Sequence, residues 1–433
     1  MCTIRRRGSG VQRNEHSTLL LLVIGGVGML GDGDSYGQSE ELLAGEAAAQ
    51  ALKQSIAAEE YNLKWGPVRF QTQAGLNLAY TDNVFYSDIN RSEDFLVIPE
   101  IDLKASWPIT ELNSLKFSLG LGYEWYLNNT ELNSDGPLIN PNSELVFKVF
   151  VGDFRIKLRE KFSYEESLFH NSPVGASDRF FNFSDVGKFS RWDNLAGLGV
   201  VWDLNNVILS AGYDHENFVP VTAQFEYLER ASEWFLTSAG FRLGDKVQAG
   251  LEGQASYHDY EGETTLNDNW RARGGPFIEF TSEEKISLRA GGGFDSAYFD
   301  TGAADNNDFE DYYAYASVRQ ETRLFTHALT AGREHQLGDN ANNLRLTQVR
   351  YSISSPILRH VDLGANLSVN FAEEFGGAYR EEFTYYRAGV GFRYQLHKHW
   401  HTGLDYEFFV KDSDLPLRDF YRNRITWEVA FTF

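Results

Sequence analysis

Apolar and polar side chains alternate with a period of two residues from Val68 to the last residue, Phe433. Successive side chains of a strand point to opposite faces, so each such segment has one apolar and one polar face. The final segment, ITWEVAFTF, keeps its apolar face to its end. Soluble domains usually fray at their termini, whereas a strand that closes a barrel in lipid needs an apolar outer face throughout. The residues of this face are Ile425, Trp427, Val429, Phe431 and Phe433.

Four further segments show the same alternation clearly. They are VRFQTQAGLNLAY (68–80), FLVIPEIDLKASW (95–107), LKFSLGLGYEWYL (115–127) and VDLGANLSVNF (361–371). Each is long enough for a tilted strand to cross a bilayer, which takes about 9–11 residues. The pattern therefore predicts strands with an outer apolar face and an inner polar face.

The links between these segments alternate in length. Long polar links cover 81–94, 128–142, 165–189, 214–229, 259–268, 299–311, 335–342, 372–382 and 412–420. Short links cover 108–113, 152–153, 204–206, 244–245, 282–284, 322–325, 355–356 and 397–399. Short turns on one side and long loops on the other are typical of outer-membrane barrels. We therefore predict an all-β fold, a transmembrane antiparallel up-and-down barrel of about 18 strands, with 16 as the nearest alternative.

Aromatic residues agree with this fold. The chain has 32 Phe, 22 Tyr and 9 Trp, and amphipathic rings collect at the two interfaces of a membrane. The outward aromatics expected near strand ends are Tyr80, Trp107, Trp125, Trp202, Tyr257, Trp270, Tyr394 and Trp400. Four others, Tyr313, Tyr315, Tyr385 and Phe409, are expected to face inward.

The first 37 residues have the features of a secretory signal peptide. Arg5, Arg6, Arg7 and Arg13 precede the apolar run that ends near Leu30, and small residues follow it. The run is shorter than the roughly 20 residues that a spanning helix needs. We therefore predict a signal peptide over 1–37 and a barrel over 67–433. Cleavage near residue 37 would remove the single cysteine, so the mature chain would have no disulfide.

Residues 38–66 lie between these two regions. The stretch is rich in Ala, Glu, Leu and Gln and has no proline, which predicts a short N-terminal helix. A periplasmic helical leader and a plug that enters the barrel are both open interpretations, as is a partly ordered leader.

The net charge of −22 excludes some classes of partner. Such acidity argues against nucleic acid and against binding anionic lipid through a basic face. The acids are concentrated in the long links, for example in DNNDFED (305–311), which lacks the residue order of a calcium loop.

Motifs of catalysis or cofactor binding are not recognisable. The match to G-x-G-x-x-G at 26–31 lies inside the predicted signal peptide, where it has no strand before it and no helix after it. His397, His399 and His401 alternate beside a predicted turn, where solvated histidines are the simpler interpretation than a metal site. We therefore predict no enzyme, no catalytic residue, no cofactor and no metal.

A basic stripe is the one chemical feature of the predicted lumen. Arg155, Lys157, Arg159 and Lys161 alternate with apolar residues on one strand, and Lys148 points inward from the preceding strand. An unpaired stripe would attract anionic solutes. In the alternative interpretation the stripe is a ladder paired with inward acids. The candidate acids are Glu100, Asp102, Glu124, Glu252, Glu279, Asp405 and Glu407. Further inward cations are Arg271, Arg273, Arg289, Arg387, Arg393, Arg422 and Arg424.

Several motifs resemble the outer-membrane β-barrel porin type 2 family. They are YTDNVF (80–85), RWDNLAGLGVVWDL (191–204), AGYDHENF (211–218) and AGREHQLG (331–338). The resemblance covers about 68–433 and implies an outer-membrane porin of a Gram-negative bacterium, without catalytic residues. It also implies that similar barrels accompany exopolysaccharide export.

We therefore expect a channel for passive passage of hydrophilic solutes. The alternatives are the barrel of an exopolysaccharide export system and a closed structural or adhesive surface barrel. Expected partners are outer-membrane lipid and lipopolysaccharide, the barrel-assembly machinery and, for the export alternative, periplasmic polysaccharide-export components. The terminal residues Trp427, Val429, Phe431 and Phe433 resemble the C-terminal signal by which such barrels are recognised for insertion.

Overall fold

The structure is a computed structural model. It describes residues 61–166, 188–261, 266–282, 285–300, 307–358, 360–377 and 379–433. The predicted signal peptide and the leader up to residue 60 lie outside the described residues. Within the described residues, no helix is long and apolar enough to cross a bilayer.

In the part of the chain that the structure describes, twenty-one strand segments form one sheet. The first eleven are β1 (Leu63–Trp65), β2 (Val68–Thr81), β3 (Asp94–Pro108), β4 (Ser114–Gly122), β5 (Trp125–Tyr126), β6 (Leu138–Ile139), β7 (Glu144–Val151), β8 (Phe154–Glu165), β9 (Arg191–Asp203), β10 (Val207–Pro220) and β11 (Arg230–Arg242). The others are β12 (Val247–Tyr260), β13 (Asn269–Thr281), β14 (Ile286–Phe299), β15 (Phe309–Glu321), β16 (Thr326–Leu337), β17 (Asn343–Leu358), β18 (Val361–Phe375), β19 (Glu381–His397), β20 (Trp400–Ser413) and β21 (Phe420–Thr432). The described helices are two 3₁₀ turns, Thr130–Leu132 and Ala223–Leu228.

These segments make eighteen crossings of a closed barrel. Segments β4 and β5 belong to one crossing, β6 and β7 belong to another, and β1 is a short arm beside β2. Sequential crossings pair antiparallel, and β2 pairs with β21 from Gln73↔Thr432 to Thr81↔Arg424. The predicted 18-strand up-and-down barrel is confirmed, and the 16-strand alternative is wrong.

The outer face of the barrel is apolar. Large outward side chains are exposed along the strands, including Leu76 (41 %), Phe95 (55 %) and Leu251 (62 %). Exposed aromatics near strand ends include Trp107, Trp125, Trp202, Trp270, Tyr394 and Trp400. The predicted alternation of outward apolar and inward polar residues is therefore confirmed for these strands.

The terminal strand lies at the closure of the barrel. Trp427 and Phe433 are about half exposed, at 49 % and 56 %. The Phe433 N–H donates to the Thr72 carbonyl at 3.1 Å, and the Trp427 indole donates to Thr402 Oγ1 at 2.8 Å. The apolar face of ITWEVAFTF is thus on the outside of the barrel up to its last residue.

Three of the sequence-based boundaries that are wrong have a clear physical reason. Residues 63–65 were predicted in the helical leader, but they form β1, which folds back on β2 at Gly66, a residue with φ of +58°. The predicted turn at 355–356 lies inside β17, whose register shifts near Pro356 and which continues to Leu358. Proline is tolerated at such strand irregularities, so it did not mark the turn.

The third error concerns the predicted loop 214–229, because β10 continues to Pro220. Residues 214–217 of β10 are polar on both faces, so the apolar alternation stops there. Asp214 and Glu216 point inward and form ion pairs with Arg159 and Arg230. His215 lies on the outer face, where it contacts Glu233.

We predict that Phe433→Asp lowers barrel assembly much more than Thr432→Asp. A charge on the outer face must be moved into lipid at the strand end, whereas the inward Thr432 faces a polar interior. The measurement is the folded, heat-modifiable fraction in the outer membrane after expression. Equal assembly of the two variants would show that the C-terminal residues are not an assembly signal.

Candidate functional site

The candidate site is the lumen, the volume enclosed by the inward side chains. The basic stripe lies where the sequence predicts it, on the inner face of β8. Lys148 of β7 is the direct cross-strand neighbour of Lys157, and Glu144 is the neighbour of Lys161. The two strands therefore place five cationic side chains on one adjacent pair of lumen strands.

One member of the stripe has a well-defined carboxylate partner. Arg159 binds Asp214 with two contacts, Nη2 to Oδ2 at 2.6 Å and Nε to Oδ1 at 3.3 Å. Asp214 is on β10, so the pair crosses over the intervening strand β9 at Gly197. A Cβ atom at Gly197 would lie 2.1 Å from Asp214 Oδ1 and 2.8 Å from Arg159 Nε. The absence of a side chain at Gly197 therefore makes the ion pair possible.

Asp214 was not among the predicted partners of the stripe. The sequence placed it in a loop, so it was not recognised as an inward acid. Lys148, Arg155 and Lys161 also make polar, aromatic or electrostatic interactions. The stripe is therefore partly a paired ladder, and its effect on solutes stays a prediction.

Two of the predicted inward acids bind Arg289 on β14, in a part of the barrel wall away from the basic stripe. Arg289 Nη2 lies 2.8 Å from Glu252 Oε2, and Arg289 Nη1 lies 3.7 Å from Glu279 Oε2. Tyr313 and Tyr315 also donate to Glu252, at 3.2 and 2.9 Å. This network holds the inner faces of β12 to β15 together.

Glu407 is the centre of a second network. The Nε of Arg387 donates to it at 2.8 Å, and the Nη2 of Arg422 donates at 2.7 Å. Arg422 also donates to the Tyr86 hydroxyl, and its guanidinium lies 4.8 Å from the Tyr86 ring centre. A third network is centred on Glu428, which pairs with Arg393 at 3.3 Å and with His401 at 3.2 Å.

At the long-loop end some of the inward side chains form an apolar cluster. Tyr86, from the β2–β3 loop, packs there although its φ of +52° is unusual for a residue with a side chain. The sequence contained no signal for this inward loop. The buried members of the cluster are Leu344, Leu346, Ala372, Phe383, Tyr385 and Phe420, and Tyr86 and Phe409 pack against them.

The predicted lumen aromatics lie mostly inside packed contacts. Tyr385 is 1 % exposed and Tyr313 is 5 % exposed. Tyr385 packs against Phe409, with the rings tilted and their centres 5.0 Å apart. These rings therefore offer little open face on which a sugar could stack.

A carboxylate fixes the β16–β17 loop. Glu374 is fully buried and accepts hydrogen bonds from the backbone N–H groups of Asp339 at 2.6 Å and Ala341 at 3.2 Å. Arg271 of β13 donates to the Asn342 carbonyl at 3.1 Å. Strand β13 lies three strands before β16 in the wall of the barrel. Arg271 can therefore reach the β16–β17 loop only because this loop extends towards the interior of the barrel.

The loop before β9 is attached by Lys188. Its ammonium lies 2.9 Å from both Asp135 and Glu166. Burial opposes the charged form, but these two carboxylates outweigh it and hold the pKa of Lys188 above its usual value. Lys188 therefore stays charged at neutral pH and keeps two long loops together.

The histidine and acidic-loop candidates show no metal geometry. Among the described residues, no group of three or more His, Cys, Asp or Glu side chains is arranged to hold a metal ion. His399 Nδ1 instead contacts the Thr432 carbonyl at 2.9 Å, and His401 belongs to the Glu428 network. Residues 305 and 306 of the acidic loop lie outside the described residues.

No protein-family model matches the chain, and no curated protein sequence matches it. Solved structures similar to it include Pseudomonas aeruginosa OpdK with vanillate, at 13 % identity, covering 84 % of this chain and 99 % of that chain, with a TM-score of 0.46. A BenF-like porin from Pseudomonas fluorescens Pf-5 has 9 % identity, 84 % and 99 % coverage and a TM-score of 0.47. Pseudomonas aeruginosa OccK2 (OpdF) in complex with glucuronate has 9 % identity, 84 % and 98 % coverage and a TM-score of 0.46. These likenesses concern the fold alone.

We predict that Gly197→Ala destabilises the barrel by about 1–3 kcal/mol, because the new methyl group separates a largely buried ion pair. Gly199→Ala is the matched control, since it changes the same face of the same strand and a Cβ there meets nothing within 4 Å. Urea unfolding of both variants in lipid vesicles measures the difference. Equal stability of the two variants would show that the Arg159–Asp214 pair does not depend on Gly197.

Proposed function

We propose that the chain is an outer-membrane channel that lets hydrophilic solutes pass down their gradients. The observation that carries the proposal is a closed 18-strand barrel with an apolar outside and a charged inside. In this proposal the chain has no catalytic residue.

The membrane location follows from the backbone and the outer surface. Because β2 pairs with β21, the wall has no open edge whose backbone groups would face lipid. The exposed side chains on the outer face are mostly large and apolar. Such a surface is stable against hydrocarbon and would aggregate in water.

Passage of solutes is supported by the lumen. Its ion pairs, such as Arg289–Glu252 and Arg422–Glu407, place charged groups on the inner faces of many strands. Charged groups need water or partners, and an 18-strand barrel is wide enough to hold water. Lumen charges also determine which ions enter.

The basic stripe suggests a local preference for anions. Alternate residues on a strand are about 6.6 Å apart, which is less than the Debye length of about 8 Å at physiological salt. The potentials of Arg155 and Lys157 therefore overlap, whereas Lys161 lies about 13 Å from Lys157 along the strand, beyond one Debye length. Arg159 is paired with Asp214, and Lys148, Arg155 and Lys161 also have polar, aromatic or electrostatic partners, so a conductance measurement must decide how much of the stripe's charge acts on solutes.

We predict that changing Arg155, Lys157, Arg159 and Lys161 together to Gln shifts the zero-current potential in a salt gradient towards cations. The measurement is made on single channels in a planar bilayer. The variant is expected to fold, because lumen substitutions change selectivity more than stability.

The matched control removes four exposed lysines at the short-turn end. The control variant changes four lysines to Gln, namely Lys64, Lys246, Lys285 and Lys398. It alters the net charge by the same amount as the stripe variant, and it should leave the zero-current potential nearly unchanged. An unchanged potential in the folded stripe variant would mean that the stripe is only structural.

A closed surface barrel is the second candidate. It is favoured by the apolar cluster and by the inward β16–β17 loop, which fill part of the lumen at the long-loop end. Single-channel conductance separates the two functions, because a closed barrel would conduct no ions. The exopolysaccharide-export alternative stays a prediction, and the burial of Tyr313 and Tyr385 gives it little support.

We predict that the long loops face the cell exterior. Epitope tags in 165–189 and 299–311 should bind antibody on intact cells, whereas a tag at 282–284 should need permeabilised cells. Labelling of the 282–284 tag on intact cells would reverse the orientation.

A further inference from the structure

A row of polar side chains interrupts the apolar outer face of β8 to β11. Glu160 of β8 and His215 of β10 are both direct cross-strand neighbours of Ala196 on β9. His215 is in turn the neighbour of Glu233 on β11. Residues paired in this way share one face of the sheet. This face is the outer one, because Leu158 and Leu198 on the same strands are 45 % and 41 % exposed.

The row lies between the two aromatic levels of this wall. At the short-turn end Phe154 stacks on Trp202, with ring centres 5.3 Å apart. At the long-loop end Tyr164 packs on Trp192, with ring centres 4.8 Å apart. Glu160 is six residues from Phe154 and four residues from Tyr164. It therefore lies within the hydrocarbon belt if the aromatic pairs mark the interfaces.

Hydrogen bonds between the polar side chains of the row use only part of their donors and acceptors. Asn194 Nδ2 donates to Glu160 Oε1 at 2.5 Å. His215 Nδ1 contacts Glu233 Oε1 at 2.9 Å, and the Tyr213 hydroxyl donates to Glu233 Oε2 at 2.5 Å. A carboxylate can accept about four hydrogen bonds, and an imidazole has two ring nitrogens that can each form one. Glu160, Glu233 and His215 can therefore form further hydrogen bonds.

Lipid cannot satisfy this remaining capacity. Hydrocarbon offers no hydrogen-bond partner, and charged side chains on the lipid face of a barrel are destabilising, most strongly near the midplane and less for Asp and Glu than for Arg and Lys. A protein surface that supplies polar groups removes this cost. Lipid headgroups are poor substitutes, because they lie outside the aromatic levels and their phosphates would repel Glu160 and Glu233.

The arrangement of the row is complementary to itself. Glu160 and His215 flank the small residue Ala196, one on each side. A twofold axis along the membrane normal at Ala196 places Glu160 of each copy opposite His215 of the other. The tilt of the strands offsets the two residues in height by about 6 Å, which these side chains can span.

We propose that a second copy of this chain covers the row, in a twofold dimer with Ala196 at its axis. A carboxylate at Glu160 accepts from an Nε2–H of His215, and a carboxylic acid donates to a bare Nε2, so the contact forms in either protonation state. The proposal rests on the membrane location proposed above, and it is independent of solute passage.

The test uses a disulfide at the axis. The background is Cys2→Ser, which removes the single native cysteine, and Ala196→Cys is added. Protein in lipid vesicles at a low protein-to-lipid ratio is oxidised, and we expect most of it to become a covalent dimer. Ala272→Cys, which replaces an outward alanine on β13, is the control and should stay monomeric. Equal cross-linking at the two positions, or none at Ala196→Cys, would overturn the dimer.

A second variant tests the polar contact itself. Glu160→Leu in the Ala196→Cys background replaces an acid in lipid by an apolar residue, so the barrel should fold at least as well. We expect it to lower the dimer yield several-fold, and Glu160→Gln should retain most of the yield. An unchanged yield with Glu160→Leu would show that the polar row does not hold the copies together.

Conductance measured on the same samples keeps the two proposals apart. A cross-linked barrel that does not conduct would overturn the channel and support the dimer. A conducting barrel that does not cross-link would support the channel and overturn the dimer.

Discussion

Pairing of the first and last crossings is the interaction on which the whole structure depends. Nine residues of β2 pair with nine of β21, from Gln73↔Thr432 to Thr81↔Arg424. Each other crossing already has a neighbour on both sides, so this single seam satisfies the last free edge of the sheet. Closure in turn separates an outer surface, which is apolar, from an inner surface, which contains the ion pairs. The amino acids on each strand are divided between these two surfaces.

The sequence was sufficient to predict the strands because this division has a period of two residues. The strand number, the outward aromatics and the inward position of Lys148 and the basic stripe follow from alternation and loop length alone. The prediction failed where both faces of a strand are polar, as at the end of β10, where His215 and Glu216 have partners on opposite sides of the wall. It also failed at Pro356, which lies within a strand.

Side-chain partners were much harder to predict than strand faces. Arg159 binds Asp214, Arg271 reaches the Asn342 carbonyl, and Glu374 holds a loop backbone. Each of these contacts depends on which strands are neighbours, on their register and on a missing side chain such as that of Gly197. None of these is a local property of the chain. The inward course of Tyr86 depends in the same way on strands that are distant in the sequence.

The Arg159–Asp214 pair joins two strands that are not neighbours, and this has a consequence for the shape of the barrel. On a flat sheet the strands on either side of β9 are about 9.6 Å apart, at roughly 4.8 Å per strand. Side chains on a concave surface converge, so the bond is easiest to form where the wall bends sharply. A bond that crosses over Gly197 therefore helps to hold the curvature of the wall at β9. Arg289 and Glu252 cross over β13 in the same way, so such bonds support the curved wall at more than one place.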